Sequence, residues 1–183
     1  MRALDQAEQL SSDDVVRVRL DLERGRVHRS SGKPEAALPH FEAAFERACE
    51  SGENYLAGDA AHMCAIAVPD LESMEHWTHR GLELGEREPD AAYWAGPLLN
   101  NLAWSYFDAA DYDRALDLFR RALEIRERES ENPSAIAWAK YGVGQTLRML
   151  GRSAEAVPLL EEAVAWSDIP AFREELALER AEL

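Results

Sequence analysis

The stretch that decides the fold is Leu99–Leu123, which reads LNNLAWSYFDAADYDRALDLFRRAL. Apolar side chains recur at spacings of three and four residues on both sides of Ala109–Asp111, and this is the period of an amphipathic α-helix. The small and acidic residues of Ala109–Asp111 are typical of a break between two helices. The stretch therefore predicts a helix pair joined by a short turn.

The second helix of this pair contains a pattern that occurs twice more in the chain. Two alanines flank a large apolar residue, and the spacing is identical each time. The three triplets are Ala115, Phe119 and Ala122; Ala37, Phe41 and Ala44; and Ala156, Leu160 and Ala163. Gly32 and Gly151 align with Ala110 as turn residues. A unit that recurs along the sequence indicates a stacked array of repeats.

The composition favours helices throughout. Val, Ile and Thr are sparse, whereas Ala, Leu, Glu and Arg fill every long segment, and these four residues have high helix propensity. Breaks rich in Gly, Pro, Asp or Ser divide the chain into about nine helices and leave room for one more at the N-terminus. We therefore predict an all-α fold.

The first helices of the pairs also align with one another. The matching residues are Gly25 and His28, Ala103 and Tyr106, and Gly144 and Leu147. A small residue and an aromatic residue on the first helix, followed by an alanine and an aromatic residue on the second, resemble the tetratricopeptide repeat. The resemblance implies a right-handed superhelical solenoid of antiparallel helix pairs.

In this register residues 1–183 form a single domain of about four repeats and a C-terminal capping helix. The repeats are expected at residues 18–51, 55–88, 96–129 and 137–168, and the capping helix at 171–183. The interval between repeats is longer than the standard one. Asn100–Ala103 and Arg120–Glu127 look especially similar to the longer repeats of kinesin light chains and bacterial peptide-sensing regulators.

One arc of each first helix lines a concave groove in tetratricopeptide repeat proteins, and the resemblance implies the same role for the matching residues of this chain. The third and fourth repeats supply Asn100, Trp104, Phe107, Trp138, Tyr141, Gln145 and Arg148. The first and second supply Arg26, Arg29, Asp59 and Met63, with Leu56 and Ile66 beside the last two. We expect a groove that is aromatic toward its C-terminal half and cationic at its N-terminal end.

Two interpretations of the groove aromatics stay open at this point. Exposed Trp and Tyr give large contact areas, and Arg can pair with carboxylates in bidentate geometry, so these residues favour recognition of a partner. Aromatic residues at helical spacing are also common in cores. Trp104, Phe107, Trp138 and Tyr141 would then pack between adjacent first helices or beneath the terminal helix.

The charge of the chain argues against two classes of partner. Lys and Arg total 20 against 35 for Asp and Glu, which gives a formal net charge of −15. A charge of this size repels phosphate backbones and anionic headgroups. We therefore expect neither nucleic acid nor a membrane surface as a partner. The polar N-terminal segment lacks the apolar stretch of a signal peptide, and we expect a cytoplasmic location.

The sequence offers little that points to catalysis. Cys49 and Cys64 are too few for a disulfide framework. His62, Cys64, His76 and His79 lie close together in the chain but match no strong metal-ligand spacing. We find no phosphate-binding loop or nucleophile motif in the sequence. We expect no enzymatic activity, no cofactor and no metal.

The function predicted from these patterns is a protein-protein interaction module, a scaffold or adaptor that binds a peptide segment of a partner in the concave groove. One alternative is self-association into a homodimer or larger homo-oligomer, in which the atypical ends of a short array are buried against another copy. A further alternative is a regulatory module that senses a peptide by changing shape.

Overall fold

The computed structural model describes residues 2–10, 12–129, 132–166 and 169–182. Ten α-helices and a 3-10 helix account for nearly all of these residues. The α-helices are α1 (Arg2–Leu10), α2 (Asp14–Ser30), α3 (Pro34–Ser51), α4 (Asn54–Ala65), α5 (Leu71–Arg87), α6 (Ala95–Asp108), α7 (Tyr112–Glu129), α8 (Pro133–Met149), α9 (Ser153–Trp166) and α10 (Pro170–Glu182), and the 3-10 helix is Pro89–Trp94. The predicted breaks at 130–133 and 167–170 lie partly outside the described residues. No strand occurs within the described ranges, and the all-α prediction is confirmed.

The first of two compact units is Met1–Leu98. It contains the helix pairs α2–α3 and α4–α5, with α1 packed on α2 and the 3-10 helix packed on α4 and α5. The core of the unit contains Phe41, Phe45 and Trp77. A side chain at Gly25 would overlap the Phe41 ring, so the glycine lets α2 approach α3 closely.

The N-terminal edge of this unit is polar. The guanidinium of Arg24 is nearly buried and donates to Asp5 Oδ1 at 3.1 Å and to Glu8 Oε2 at 2.7 Å. Arg47 Nε lies 3.7 Å from Asp21 Oδ2. The two Arg24 ion pairs attach α1 to α2, whereas the Asp21–Arg47 pair joins α2 and α3.

The second unit is Leu99–Leu183. It contains most of α6 and the helices α7 to α10, with α8 packed on α7 and α9, and α10 packed on α9 and α8. Leu160 of α9 lies against Gly144 of α8, and Phe119 of α7 lies against Gly142. Phe172 of α10 is fully buried with Ala163. The same large-on-small packing thus occurs in both units.

Within the described residues, no helix is both long enough and apolar enough to cross a membrane.

The turn after three of the first helices has the same conformation. Gly32, Ala110 and Gly151 have φ values of 73°, 59° and 69°, in the left-handed region. Ala110 N donates to Phe107 O at 2.9 Å and Asp111 N donates to Tyr106 O at 3.0 Å, which satisfies carbonyls at the end of α6. Ala110 makes this turn with a side chain that disfavours the left-handed region.

We expect Ala110→Gly to stabilise the protein by about 0.5 to 1 kcal/mol. Glycine removes the strain of the left-handed conformation in the folded state, and this gain is larger than the loss caused by the greater conformational entropy of glycine in the unfolded chain. Gly151→Ala is the matched control and should destabilise the protein by a similar amount. Urea denaturation of both variants measures the two effects. A less stable Ala110→Gly variant would contradict the assignment of this turn.

The fully buried Ala122 tests the close approach of the helices in the second unit. We expect Ala122→Leu to cost about 1 to 3 kcal/mol, because the added methylenes overpack the core. The same substitution at the exposed Ala154 should change stability by less than about 0.5 kcal/mol. An unchanged urea midpoint for Ala122→Leu would contradict the packing described for α7.

Candidate functional site

The face of α4 that corresponds to the groove-lining arc is shifted by one residue along the helix from the predicted face. Leu56, Asp59 and Met63 are 7%, 7% and 8% exposed, and Leu56 and Met63 lie in the hydrophobic core. Tyr55 and His62 share one face of α4 with the predicted Asp59, at spacings of four and three residues. The groove-side face of the second repeat is therefore shifted by one residue from the predicted one.

The position of Ala61 and Trp77 explains the one-residue shift in the second repeat. The predicted alignment placed His62 at the small-residue position of the first helix. Ala61 precedes Trp77 by the same number of residues as Ala103 precedes Phe119, and both Ala61 and Trp77 are buried. The alignment on spacing alone missed this match because Trp77 stands where other repeats have Phe or Leu.

Arg26 and Asp59 form an ion pair between α2 and α4. Arg26 Nη2 donates to Asp59 Oδ2 at 2.5 Å, and Nη1 donates to Glu23 Oε1 at the same distance. Burial raises the pKa of Asp59, and the hydrogen bond from Arg26 opposes this shift. Arg29 is exposed on the next turn, with its Nε 3.5 Å from the carbonyl oxygen of Ile66. The two arginines predicted at the cationic end of the groove therefore differ in their surroundings: Arg26 is paired with carboxylates of this chain, whereas Arg29 is exposed.

Trp94 of the 3-10 helix packs on α4 at Gly58. A Cβ at Gly58 would overlap the indole ring. The indole Nε1 donates to the carbonyl oxygen of Tyr55 at 2.9 Å, and the ring centroid is 5.2 Å from that of His62. Sequence reasoning missed Tyr93 and Trp94, because residues between two repeats give no repeat signal, and it missed Tyr55 and His62 because of the one-residue shift in the second repeat.

Burial keeps His62 neutral at physiological pH. The imidazole is largely enclosed beneath Trp94, and burial, together with the positive charges of Arg29 and Arg26, lowers its pKa to about 4. An unfolded histidine titrates near pH 6.5. The ring therefore acts as a neutral packing surface in the folded protein.

We expect His62 to make the protein less stable in mild acid. Between pH 6.5 and pH 4 the unfolded chain takes up a proton at His62 that the folded chain does not, so stability falls as the pH drops through this window. From pH 7 to pH 5 the loss should be about 2 kcal/mol larger for the wild type than for His62→Phe. Urea titrations at the two pH values measure this difference.

The exposed His79 supplies the control, and His79→Phe should keep the pH dependence of the wild type. The expected result is contradicted if His62→Phe and the wild type lose equal stability between pH 7 and pH 5.

A continuous row of five aromatic rings lies along the second unit. We call it the aromatic row, and it consists of Tyr112, Phe107, Trp104, Tyr141 and Trp138. The centroids of successive rings are 5.3, 5.4, 6.3 and 5.7 Å apart. Trp104 also packs edge-on against the buried Phe119 at 4.9 Å, which anchors the row to the core. Four members are half-buried and Trp138 is exposed.

Helix α10 covers one end of the aromatic row. The Phe172 ring is 4.9 Å from both Trp138 and Tyr141. Arg148 Nε donates to Glu175 Oε1 at 2.5 Å and lies 3.4 Å from Glu179 Oε1. Trp138 and Tyr141 thus pack beneath the terminal helix, whereas Trp104 packs on Phe107 and on the buried Phe119. Asn100 and Gln145 are half-buried on the same arcs.

Across the described ranges, no three His, Cys, Asp or Glu side chains are grouped so that they could hold a metal ion. His76 and His79 are exposed on α5, whereas Cys64 is buried in α4.

Comparison with known proteins identifies the repeats. A sequence profile of the tetratricopeptide repeat family matches residues 94–165, which span α6 to α9. This part of the chain belongs to the tetratricopeptide repeat family. The prediction of that family from small and large side chains at fixed spacing is confirmed. No curated protein sequence matches the chain.

Solved structures extend the tetratricopeptide-like fold to nearly the whole chain. BtubC (BKLC) from P. vanneervenii matches 98% of this chain and 71% of its own, with 20% identity and a TM-score of 0.68. Aspartyl phosphate phosphatase F from Bacillus subtilis matches 93% of this chain with 16% identity and a TM-score of 0.80. A Podosopora anserina kinesin light chain with TPR-like repeats matches 94% of this chain and 89% of its own, with 19% identity and a TM-score of 0.61.

This chain spans 46% of the phosphatase. At these identities the likeness concerns the fold.

Proposed function

We propose that this chain is a protein-interaction module that binds a peptide segment of a partner protein along the first helices of its repeats, as a scaffold or adaptor. Tetratricopeptide repeat domains are generally protein-interaction modules. The observation that supports the proposal here is the aromatic row, which runs across consecutive first helices α6 and α8. We place this function in the cytoplasm, where the thiols of Cys49 and Cys64 would remain reduced.

The open part of the aromatic row suits the recognition of an extended or helical peptide. Phe107 contacts both Trp104 and Tyr112, and all three rings are half-buried. Rings fixed by their neighbours lose little conformational freedom on binding, and aromatic residues of this kind carry much of the energy of protein interfaces. This part of the row can bury apolar side chains of a partner without rearrangement.

Helix α10 is an internal example of what this surface accommodates. It places a phenylalanine on two members of the aromatic row and a glutamate on Arg148. A helical segment with an aromatic residue followed by an acidic residue thus fits the surface of α8. Because α10 already occupies that position, we propose that the partner contacts Trp104, Phe107 and Tyr112.

Self-association through apolar ends is the competing proposal, and the ends of the two units do not favour it. Arg24 binds α1 at the N-terminal end through two carboxylates. At the C-terminal end, Glu161 of α9 accepts a hydrogen bond from Arg180 of α10. Sedimentation over a range of concentrations separates the two proposals, since a homodimer would dissociate on dilution.

A peptide-sensing regulator is a second candidate function. The fold likeness to aspartyl phosphate phosphatase F, with its TM-score of 0.80, favours this candidate. A regulator of this kind should change its X-ray scattering profile when peptide binds, whereas a scaffold should not.

The proposed function predicts that Trp104→Ala and Phe107→Ala each weaken partner binding at least about tenfold, because each removes a ring from the centre of the contact surface. The partner is first captured with the wild-type protein and identified by mass spectrometry. The affinity of its binding segment is then measured by calorimetry for each variant.

Trp166→Ala is the matched control, because Trp166 is an equally large exposed aromatic residue outside the aromatic row. Thermal melts monitored by circular dichroism verify that each variant is folded. If a folded Phe107→Ala variant binds the segment as tightly as Trp166→Ala does, the partner does not use the aromatic row.

A further inference from the structure

A second group of aromatic residues lies in the first unit, and its rings are more exposed than the aromatic row. We call it the tyrosine corner, and it consists of Tyr55, Tyr93 and Trp94. Tyr55 and Tyr93 are 48% and 58% exposed. The ring centroids are 6.0 Å apart for Tyr55–Tyr93, 5.5 Å for Tyr55–Trp94 and 5.3 Å for Tyr93–Trp94.

The tyrosine corner is held in place from below. The hydrogen bond from Trp94 Nε1 to the Tyr55 carbonyl fixes the indole, and Gly58 allows the ring to lie flat against α4. The planes of Tyr93 and Trp94 are at 89°, and those of Tyr55 and Trp94 at 54°. The planes of Tyr55 and Tyr93 are at 36°, so the three rings are inclined to one another and none is stacked on another.

The charges around the tyrosine corner favour a cation. The faces of aromatic rings are negative and attract ammonium and guanidinium groups. Glu53 lies two residues before Tyr55 and Asp90 three residues before Tyr93 in the chain, and Glu88 accepts a hydrogen bond from Asn54, the neighbour of Tyr55. The formal net charge of −15 adds a long-range attraction for basic partners.

Three arginines of the first unit, Arg26, Arg29 and Arg87, have partners within the chain. Arg26 is paired with Asp59 and Glu23. Arg29 contacts Ile66, eleven residues along α4 from Tyr55, or about 16 Å at the rise of an α-helix. Arg87 donates back to the carbonyl oxygen of Glu83. The imidazole of His62, which packs on Trp94, is neutral at pH 7.

We propose that the tyrosine corner binds a basic side chain, arginine or lysine, of the partner protein. The guanidinium or ammonium group lies against the faces of Tyr55 and Tyr93, and the surrounding carboxylates neutralise it. This inference rests on the proposed function for the nature of the partner, and it adds the requirement that the partner segment carry a positive charge. It reverses the expectation that arginines of the groove select an acidic segment.

The test uses a synthetic peptide, acetyl-Gly-Arg-Gly-Arg-Gly-Arg-Gly-amide, and a second peptide in which citrulline replaces each arginine. Citrulline keeps the shape of the side chain and removes its charge. Binding to the full chain is followed by NMR at 0.15 M salt, where long-range attraction is screened. The indole N–H resonance of Trp94, assigned with Trp94→Phe, reports directly on the corner.

We expect the arginine peptide to shift this resonance and the citrulline peptide to leave it unchanged. The double variant Tyr55→Leu/Tyr93→Leu should bind the arginine peptide about fivefold or more weakly, because two cation–π contacts are lost. Tyr55→Phe/Tyr93→Phe should retain binding, since it keeps both rings. Trp166→Leu is the control for general aromatic loss and should bind as the wild type does.

Equal binding of the two peptides, or equal affinity of the wild type and the folded leucine double variant for the arginine peptide, overturns the inference. These results leave the proposed function intact if partner capture still depends on Phe107. The opposite outcome is also distinguishable. If arginine binding depends on the two tyrosine rings but partner capture does not depend on Phe107, the tyrosine corner is supported and the aromatic row has no role in partner binding.

Discussion

The packing of a large side chain from one helix on a glycine or alanine of the preceding helix is the constraint on which the structure depends. Phe41 on Gly25 and Leu160 on Gly144 show it directly. The small residue brings two helix backbones close together, and this fixes the rotation of the first helix about its axis. The next residue, Arg26, Trp104 or Gln145, is then directed to the adjoining arc. The fold and the candidate surface are consequences of the same contact.

The second repeat shows how a local irregularity produces a distinct surface. Its first helix has Gly58 on the arc where α8 has Tyr141, so this helix leaves space for a ring. Trp94, from the short 3-10 helix that follows the repeat, occupies the space and is fixed by its hydrogen bond to Tyr55. The result is a set of rings on α4 that belongs to no repeat position, with a half-buried neutral histidine packed on it.

Charge pairing within the chain determines which groups remain for a partner. Arg24 attaches α1, Arg26 bridges α2 and α4, and Arg148 attaches α10. Each pair satisfies a guanidinium that would otherwise be costly to bury. These three arginines are paired within a chain that has 15 more acidic than basic residues. Recognition is therefore expected to combine aromatic contact with attraction for positive charge.

The sequence by itself determined the helices, the repeat spacing and the family, because helical period and small-residue spacing are local properties that Ala103, Ala115 and Phe119 display in one stretch. It also identified Trp104 and Phe107 on their arc. The tertiary structure alone decided that Met63 is buried, that Tyr55 and His62 replace it on the arc, and that α10 covers Tyr141. These outcomes depend on contacts between residues distant in the chain, and a one-residue shift on a helix rotates a side chain by about 100°. A repeat with atypical residues gives no local signal that fixes this rotation.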